Sequence, residues 1–270
     1  MSKLVLSQIN VYPIKSLGGF PLKRAKLTRT GFEHDRKWML INTENTFMTQ
    51  RKYPQMSLVS VEVHVDFLLL KHKTKNLETF KLPVTEAQGE LIEVGVWNDI
   101  CEAVFVGKEI DQWLSEALDQ PCRLVQMPEA THRYVEKEYA KNNETVGFAD
   151  AYPFLMIGEE SLNDLNGRLK EAVPMNRFRP NLVFSGGEPY IEDKFHEMRI
   201  GGQSFHAVKP CARCVLLTVN QQTGEKGSEP LKTLSTYRKN GNSVYFGQNL
   251  LHQNQGTVAV GDSIEVLSWK

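Results

Sequence analysis

Two cysteines, Cys211 and Cys214, enclose Arg213 in the segment KPCARCVLLTV. Thiolates are the ligands that soft metals prefer, and a guanidinium beside a thiol favours the ionised form of the sulfur. The run VLLTV consists of residues that are common in strands, so we predict that the pair lies at the start of a strand. This segment is the first candidate for a metal or cofactor site.

Three other interpretations of the cysteine pair remain open. Free cysteines often pack as small apolar groups, and on spacing alone a structural pair is favoured over a cofactor ligand. A thioredoxin-like redox pair should open a helix, and VLLTVN is a poor sequence for that. A tetrahedral zinc site needs two further ligands, but the other cysteines, Cys101 and Cys122, form no second CxxC pair.

Basic residues in three separate segments could together bind a phosphate. The segment YPIKS ends in Lys15 and Ser16, and HDRKWMLIN places Arg36 before an apolar run. The segment NRFRPN carries Arg177 and Arg179, which the alternation of an extended chain would direct to one side. Forked guanidiniums from different loops suit bidentate phosphate recognition, although each of these cations taken singly is typical of a solvated surface.

The motifs follow one another in an order that is typical of one protein family. The order is YPIKS, DRKWMLIN, DAYPFLMI with SLNDLN, NRFRPNLVFSG, CARCVLLTV with PLKTLSTYR, and FGQNL with VGDSIEVL. Together they resemble MOSC-domain proteins, and more narrowly the amidoxime-reducing-component and YcbX-like family, over residues 4–267. The resemblance implies an α+β, mainly β fold. An N-terminal MOSC-associated β-barrel-like domain, residues 1–121, would pack on a MOSC β-barrel with a few helices, residues 122–270.

The resemblance also implies a molybdenum cofactor (Mo-molybdopterin), a pyranopterin whose dithiolene sulfurs bind the metal while one protein cysteine completes the thiolate set. It assigns the metal ligand to Cys214 and leaves Cys211 as a neighbouring thiol. It assigns the contacts to the pterin and its phosphate to Lys15, Ser16, Arg36, Asn176, Arg177, Arg179 and Arg213. It gives no reason to expect pyridoxal phosphate.

The activity that the resemblance implies is the reduction of small N-hydroxylated substrates, such as amidoximes, hydroxylamines and N-hydroxylated base analogues. Asp150 precedes a predicted strand and is a candidate proton relay, with turn formation or capping as the alternative role. Long bacterial relatives append a ferredoxin-like domain with four clustered cysteines. This chain has no such cluster, so we expect electrons from a separate ferredoxin, flavoprotein or haem carrier.

Two other functions remain open. The chain could be a non-catalytic carrier of the molybdenum cofactor or a sulfur-transfer adaptor. It could also be a β-rich globular protein whose cysteines are only structural.

The composition bounds the location and the partners. Lysine plus arginine and aspartate plus glutamate each number 32, so we expect neither nucleic acid nor an anionic membrane surface as a partner. Four cysteines in 270 residues indicate no disulfide framework, which suits a reducing compartment. No signal-peptide core or membrane-spanning run is apparent, so we predict a cytoplasmic protein.

Short strands separated by turns should position these residues. In the first half, the sequence predicts strands over residues 4–11, 38–41, 58–70, 91–97 and 100–106, a hairpin turn over 42–45, a helix over 108–118 and a strand over 123–126. Residues 128–150 are polar and aperiodic, and we interpret them as a loop that either covers a site or lies on the surface. In the second half, it predicts strands over 154–157, 183–185, 198–200, 204–208, 215–219 and 263–267, a helix over 159–169, and a helix that begins at Pro230.

Overall fold

Short strands form most of the regular structure. A computed structural model describes residues 3–270, so the first two residues of the predicted domain 1–121 lie outside the described part of the chain. The first eleven strands are β1 Val5–Val11, β2 Phe20–Leu22, β3 Arg24–Thr28, β4 Gly31–Phe32, β5 Trp38–Ile41, β6 Val59–Val63, β7 Phe67–His72, β8 Phe80–Pro83, β9 Leu91–Val96, β10 Asp99–Phe105 and β11 Arg123–Gln126.

The second half contains eight more strands, and the helices are few. These strands are β12 Phe154–Gly158, β13 Leu182–Ser185, β14 Phe195–Ile200, β15 Gln203–Arg213, β16 Lys239–Asn240, β17 Ser243–His252, β18 Gly256–Ala259 and β19 Ile264–Trp269. The α-helices are α1 Lys108–Leu118, α2 Glu159–Arg168 and α3 Leu231–Tyr237, and short 3-10 helices span Pro54–Leu58, Met175–Arg177, Ile191–Lys194 and Val215–Thr218. The predicted fold class, α+β and mainly β, is confirmed.

The largest sheet has nine strands and takes its members from both ends of the sequence. Its order is β19-β14-β15-β17-β12-β13-β1-β2, with β16 attached to β17. Strand β1 runs antiparallel to β13, and β12 runs parallel to β13. One face buries an apolar cluster that includes Phe154, Phe184 and Phe205, since alternate residues of these strands are hydrophobic. The beginning of the chain therefore completes the core of the second half.

Three smaller sheets build the rest of the molecule. Their orders are β5-β11-β10-β9, β18-β3-β4 and β6-β7-β8. Helix α1 buries Ile110, Leu114 and Leu118 at helical spacing against the cluster around Trp38. Strand β11 follows the predicted boundary at residue 121 and yet pairs with β5 and β10, which precede it. The boundary itself stays a prediction.

Several predicted elements match the structure and one long strand does not. The helix over residues 108–118 and the strands over 38–41 and 123–126 have the predicted bounds. Asn42 and Asn45 close the predicted turn, with the amide of Asn45 donating to the carbonyl of Asn42 at 3.2 Å. The single strand predicted over 58–70 is wrong, because the chain turns back between β6 and β7 and the two strands pair with each other.

The prediction that residues 215–219 form a strand, with the cysteine pair at its start, is also wrong. The pair lies at the other end of a strand: β15 ends at Arg213, and Val215–Thr218 form a 3-10 helix. The amide of Val219 donates to Leu216 at 3.0 Å, and the Thr218 hydroxyl donates to Val215 at 2.8 Å. Burial of Leu217 and Thr218 on one side of this turn overrides the β-propensity of the sequence.

The polar segment 128–150 has little regular structure but is packed. Val135, Val146 and Phe148 are buried in it, and an isolated bridge joins Tyr134 to Thr145. Arg133 ties its two ends together by donating to the carbonyls of Gly147, at 3.1 Å, and Ala149. Among the helices of residues 3–270, none combines the length and the apolar character that crossing a membrane requires.

Candidate functional site

A cleft opens where the end of β15 meets the loop after β1 and the segment before β12. It encloses about 880 Å³ of space, part of it open to solvent. Most of the predicted site residues line it, namely Lys15, Ser16, Arg36, Asp150, Arg179, Arg213 and Cys214. The fold thus brings together side chains that lie up to two hundred residues apart in the sequence.

The cysteine pair forms one wall of the cleft. Cys214 is exposed and Cys211 is half-buried, and both are free thiols that line the cleft. A bulge in the pairing of β15 with β17, between Pro210 and Ala212, sets the direction of this strand end. Within residues 3–270, no group of three or more histidine, cysteine or acidic side chains could hold a metal ion. Cys214 could therefore contribute only one protein ligand to a metal whose other ligands come from elsewhere.

Arg213 supports the neighbouring thiol rather than Cys214. Its Nη1 atom donates to the sulfur of Cys211 at 3.1 Å, and its Nη2 atom donates to the carbonyl of Phe178 at 2.8 Å. Its Nε atom is buried and has no hydrogen-bond partner in the described part of the chain. A buried donor without a partner is costly. One N–H group in this wall therefore remains available for a bound acceptor.

Lys15 and Asp150, which also line the cleft, form an ion pair. The Lys15 ammonium lies 2.5 Å from the Asp150 carboxylate and donates to the carbonyl of Phe148 at 2.7 Å. Trp97 donates its indole N–H to the same carboxylate at 3.1 Å. The side chain of Lys15 is 5% exposed, whereas that of Asp150 is 67% exposed, so the pair extends from the interior into the cleft.

The two charges shift each other's pKa in this arrangement. Burial lowers the pKa of Lys15 below its ordinary value, and the attraction of Asp150 offsets part of that effect. Crowding by protein atoms around Asp150 would raise its pKa, but the charge of Lys15 and the hydrogen bonds from Lys15 and Trp97 outweigh it, and the pKa falls well below its usual range. Asp150 is therefore a carboxylate at neutral pH.

Arg36 and Arg179 both pack against the ring of the buried Tyr12. Their guanidinium carbons lie 4.3 Å and 4.2 Å from the ring centre of Tyr12. Arg36 also donates to Asp35 at 2.5 Å and to Asn181 at 3.0 Å, and Arg179 donates to the carbonyl of Leu17 at 2.8 Å. Burial raises the pKa of Tyr12 to about 12 and lowers the pKa of Arg179 to about 10. The cation–π contacts with Tyr12 and the hydrogen bonds to protein acceptors hold both guanidiniums in place.

Asn176 and Arg177 do not line the cleft, and the geometry predicted for NRFRPN is wrong. Arg177 belongs to a 3-10 helix, and Arg179 has a left-handed backbone with φ of 57°, so the segment is not extended and the two side chains diverge. Arg177 donates to the carbonyls of Leu217 and Thr218, at 2.8 Å and 3.1 Å, and Asn176 is exposed. Their roles as cofactor contacts stay predictions.

Sequence reasoning missed several residues of the cleft. Arg51, Asn181 and Asn249 line it, and Tyr12 and Trp97 contact the lining residues Arg179 and Asp150. Arg51 stacks its guanidinium on the Trp97 ring at 4.0 Å. Asn181 lies inside the quoted motif NRFRPN, so that motif could have suggested it. No local pattern marks Arg51 or Trp97, because only the folded chain brings their loops to the site.

Comparison with known protein families and curated proteins gives one consistent answer. The family model of the MOSC N-terminal β-barrel domain matches residues 3–121, and the family model of the MOSC domain matches residues 143–265. The chain is 35% identical over 283 residues to mitochondrial amidoxime-reducing component 1 of Homo sapiens, covering 97% of this chain and 82% of that protein. This chain belongs to the amidoxime-reducing-component family of MOSC proteins.

A second group of relatives is much longer than this MOSC protein. The chain is 34% identical to the molybdenum cofactor sulfurase of Solanum lycopersicum over an alignment of 271 residues, and this alignment covers 92% of the chain. The MOSC protein spans only about a third, 33%, of that relative's length. Among solved structures, the YUAD protein of Bacillus subtilis aligns over 99% of the MOSC protein and 97% of its own chain, with 10% identity and a TM-score of 0.45.

The cleft of the MOSC protein has the groups that a molybdenum cofactor would require. An exposed thiol, Cys214, is a soft donor for a soft metal, and the partnerless Nε atom of Arg213 points to a missing acceptor. Lys15, Arg36 and Arg179 add three cations around the same space. The donor set therefore fits a sulfur-ligated metal with an anionic organic part.

Proposed function

We propose that this MOSC protein holds a molybdenum cofactor in the cleft and reduces small N-hydroxylated compounds. The observation that carries the proposal is the exposed thiol of Cys214, which shares one cleft with the cations Lys15, Arg36, Arg179 and Arg213. The similarity to proteins named amidoxime-reducing component supports the choice of substrate. We infer that Cys214 ligates the metal and that the cations hold the pterin and its phosphate.

The overall reaction requires electrons and protons in equal number. For an amidoxime, R–C(=NOH)NH₂ with two electrons and two protons gives the amidine R–C(=NH)NH₂ and water, so the N–O bond breaks and the oxygen leaves as water. The bound cofactor would supply the two-electron redox chemistry. The electrons themselves would come from a separate ferredoxin, flavoprotein or haem carrier.

The protein's own residues would bind the cofactor, orient the groups around it and supply a proton. Asp150 stays ionised at neutral pH, so it is unsuited to donate the proton itself and we propose it as a positioning residue for Lys15. Lys15 lines the cleft behind this carboxylate, and burial lowers its pKa below its ordinary value, so we infer that it supplies the proton. Arg177 would act indirectly, by holding the 3-10 helix that follows Cys214 through its bonds to Leu217 and Thr218.

The test compares the two cysteines of the motif. We expect Cys214→Ser, produced in a host that makes the cofactor, to lose bound molybdenum and at least about 100-fold of benzamidoxime reduction with reduced methyl viologen. Cys211→Ser is the matched control and should retain the metal, because it leaves Cys214 intact and alters only the hydrogen bonds of Cys211 with Arg213 and Ala212. Metal analysis and amidine formation measure the two effects. Parental molybdenum content and rate in Cys214→Ser would refute the proposed ligand.

A non-catalytic carrier or sulfur-transfer adaptor is the alternative function. The similarity to a region of proteins named molybdenum cofactor sulfurase favours it. A parental protein that retains molybdenum tightly, but reduces no N-hydroxylated substrate with a chemical reductant, would support this alternative. A cytoplasmic location also stays a prediction, since the related amidoxime-reducing components carry the word mitochondrial in their names.

A further inference from the structure

A second depression adjoins the cleft and shares Arg51, Arg213 and Cys214 with it. We call it the basic groove. It contains about 1550 Å³ of space, much of it open to solvent, and its other lining residues include Lys226, Lys232, Lys239, Val215, Leu231 and Val244. Val215 is 52% exposed, so part of the groove floor is apolar and open to solvent.

The basic groove carries uncompensated positive charge. No aspartate or glutamate lines it. Lys232 and Lys239 are exposed, and in the described part of the chain their ammonium groups take part in no hydrogen bond or ion pair. The ammonium of Lys226 donates only to the carbonyl of Arg51, which leaves its charge unopposed. Because the whole chain has a formal net charge of +0, this concentration of cations is a local feature.

We propose that the basic groove is the docking surface for an acidic redox protein that delivers electrons at the Cys214 end of the cleft. This inference rests on the proposed function, which requires a separate electron donor. Cys214 belongs to both depressions, so a protein seated in the groove would lie against the wall that carries the proposed metal ligand. Electron transfer slows steeply with distance, and this position keeps the path short.

The shape of the groove favours a protein over a small anionic substrate. A small anion is held by a few converging donors in an enclosed site, whereas these lysines are exposed around an open, partly apolar floor. Transient complexes between redox proteins use small interfaces. Charge complementarity accelerates their encounter and lets the partners separate after transfer. The groove has the features of such a contact.

A charge-reversal experiment tests the docking surface. The variant Lys232→Glu/Lys239→Glu alters two exposed side chains and leaves Lys226 in place, because its ammonium supports the backbone of Arg51. The matched control, Lys71→Glu/Lys108→Glu, also changes one exposed strand lysine and one lysine in the first turn of a helix, but outside the groove. The probes are an acidic plant-type ferredoxin and an acidic flavodoxin, with the basic haem protein cytochrome c as a control partner.

Binding is measured by titration calorimetry at low ionic strength and again with added salt. We expect the parental protein to bind at least one acidic probe, and added salt to weaken that binding. The groove variant should lose at least about tenfold in affinity, which corresponds to about 1.4 kcal/mol, while the control variant keeps parental affinity. Cytochrome c should not bind the parental protein.

The same variants separate docking from catalysis. With reduced methyl viologen as the electron source, the groove variant should reduce benzamidoxime at the parental rate. Equal affinity of the parental and groove variants for the acidic probe, an equal loss in the control variant, or no binding of either acidic probe by the parental protein would overturn the docking surface. A raised KM for benzamidoxime in the groove variant would overturn it too, by assigning the groove to substrate. Failure of parental turnover with methyl viologen would instead refute the proposed function.

Discussion

The pairing of Lys15 with Asp150 is unequal, and this inequality determines what each residue contributes. Lys15 is enclosed by protein, while the carboxylate of Asp150 faces the cleft. Enclosure makes the ammonium dependent on its two acceptors, Asp150 and the carbonyl of Phe148. The carboxylate of Asp150 is more exposed and also accepts from the indole of Trp97, so it keeps a second partner when Lys15 is absent. Removal of the carboxylate is therefore the informative change.

Asp150→Asn should destabilise the protein by about 1–2 kcal/mol near pH 6. The loss is smaller than the roughly 3–5 kcal/mol of a fully buried pair, because Asp150 is 67% exposed and Lys15 keeps the carbonyl of Phe148. Urea denaturation at several pH values measures it.

The pH dependence of this difference has a definite sign. The pKa of Asp150 is depressed in the folded state, so its stabilising effect is complete above the unfolded-state pKa, about 3.9. The effect is lost as the pH falls through the lower, folded-state pKa. The difference between Asp150→Asn and the parental protein should consequently shrink below about pH 4. Asp66→Asn, an exposed aspartate, is the control and should change stability by less than about 0.5 kcal/mol. A difference that grew toward acid pH would contradict the assigned pairing.

At the scale of elements, the periodicity of the sequence predicts those helices and strands whose conformation depends on nearby residues. Helix α1 could be predicted to the residue, because its apolar side chains recur at helical spacing and Pro121 follows soon after its end. The structure of the segment VLLTV could not be predicted in the same way. Its residues favour a strand, but the burial of Leu217 and a hydrogen bond from the guanidinium of Arg177 hold it in a 3-10 helix. Propensity alone does not contain these long-range contacts.

The candidate site likewise contains residues that the sequence predicts and residues that only the folded structure reveals. Sequence motifs predict Lys15, Arg36 and Cys214, and all three residues line the cleft. Arg51 and Trp97 belong to no motif, and their contact depends on how two loops of the first half are folded. An extended chain would direct Arg177 to the same side as Arg179, but the backbone turns here and the two side chains diverge. The sequence therefore identifies some candidate residues by type, but only the structure gives the direction of their side chains.

Gly247 in β17 determines how closely this strand approaches β12 beside the cysteine-bearing strand end. Its φ is 84°, and an added Cβ would lie 2.7 Å from a methylene carbon of Ile157 and 2.8 Å from the carbonyl oxygen of Met156. Gly247→Ala should therefore lower the free energy of unfolding by about 2–4 kcal/mol, through backbone strain and overpacking. Urea denaturation measures the loss.

Gly241→Ala separates the two contributions to that loss. Gly241 also has a positive φ, 57°, but an added Cβ there would meet nothing within 4 Å. The substitution should cost only the backbone term, about 1–2 kcal/mol. Equal destabilisation by the two substitutions would show that the close contact with β12 has no energetic weight.

At the scale of the whole molecule, the cleft is assembled from both halves of the chain. Lys15, Arg36 and Arg51 come from the first half, and Asp150 and Cys214 come from the second. Strand β1 makes this assembly possible, because it pairs with β13 of the second half before the chain enters the smaller sheets. The loop that carries Lys15 is thereby fixed against the strands that lead to the cysteines.

This arrangement predicts that residues 122–270 do not fold as an independent unit. Without residues 5–11, β13 would expose the edge to which β1 is paired, and the apolar cluster would lose the fully buried Leu6, Ile9 and Val11. The fragment should therefore show no cooperative urea transition and should aggregate at micromolar concentration.

Restoring the missing strand provides the control for the fragment. Residues 3–12 joined to the fragment by a flexible linker should recover part of the cooperative transition, whereas the same segment with Ile9→Asp should not, because that substitution places a charge in the apolar cluster. Circular dichroism and size-exclusion chromatography measure both outcomes. A monomeric, cooperatively unfolding fragment without the strand would contradict the view that β1 is part of the second half's core, and the cleft would then be an interface between two independent domains.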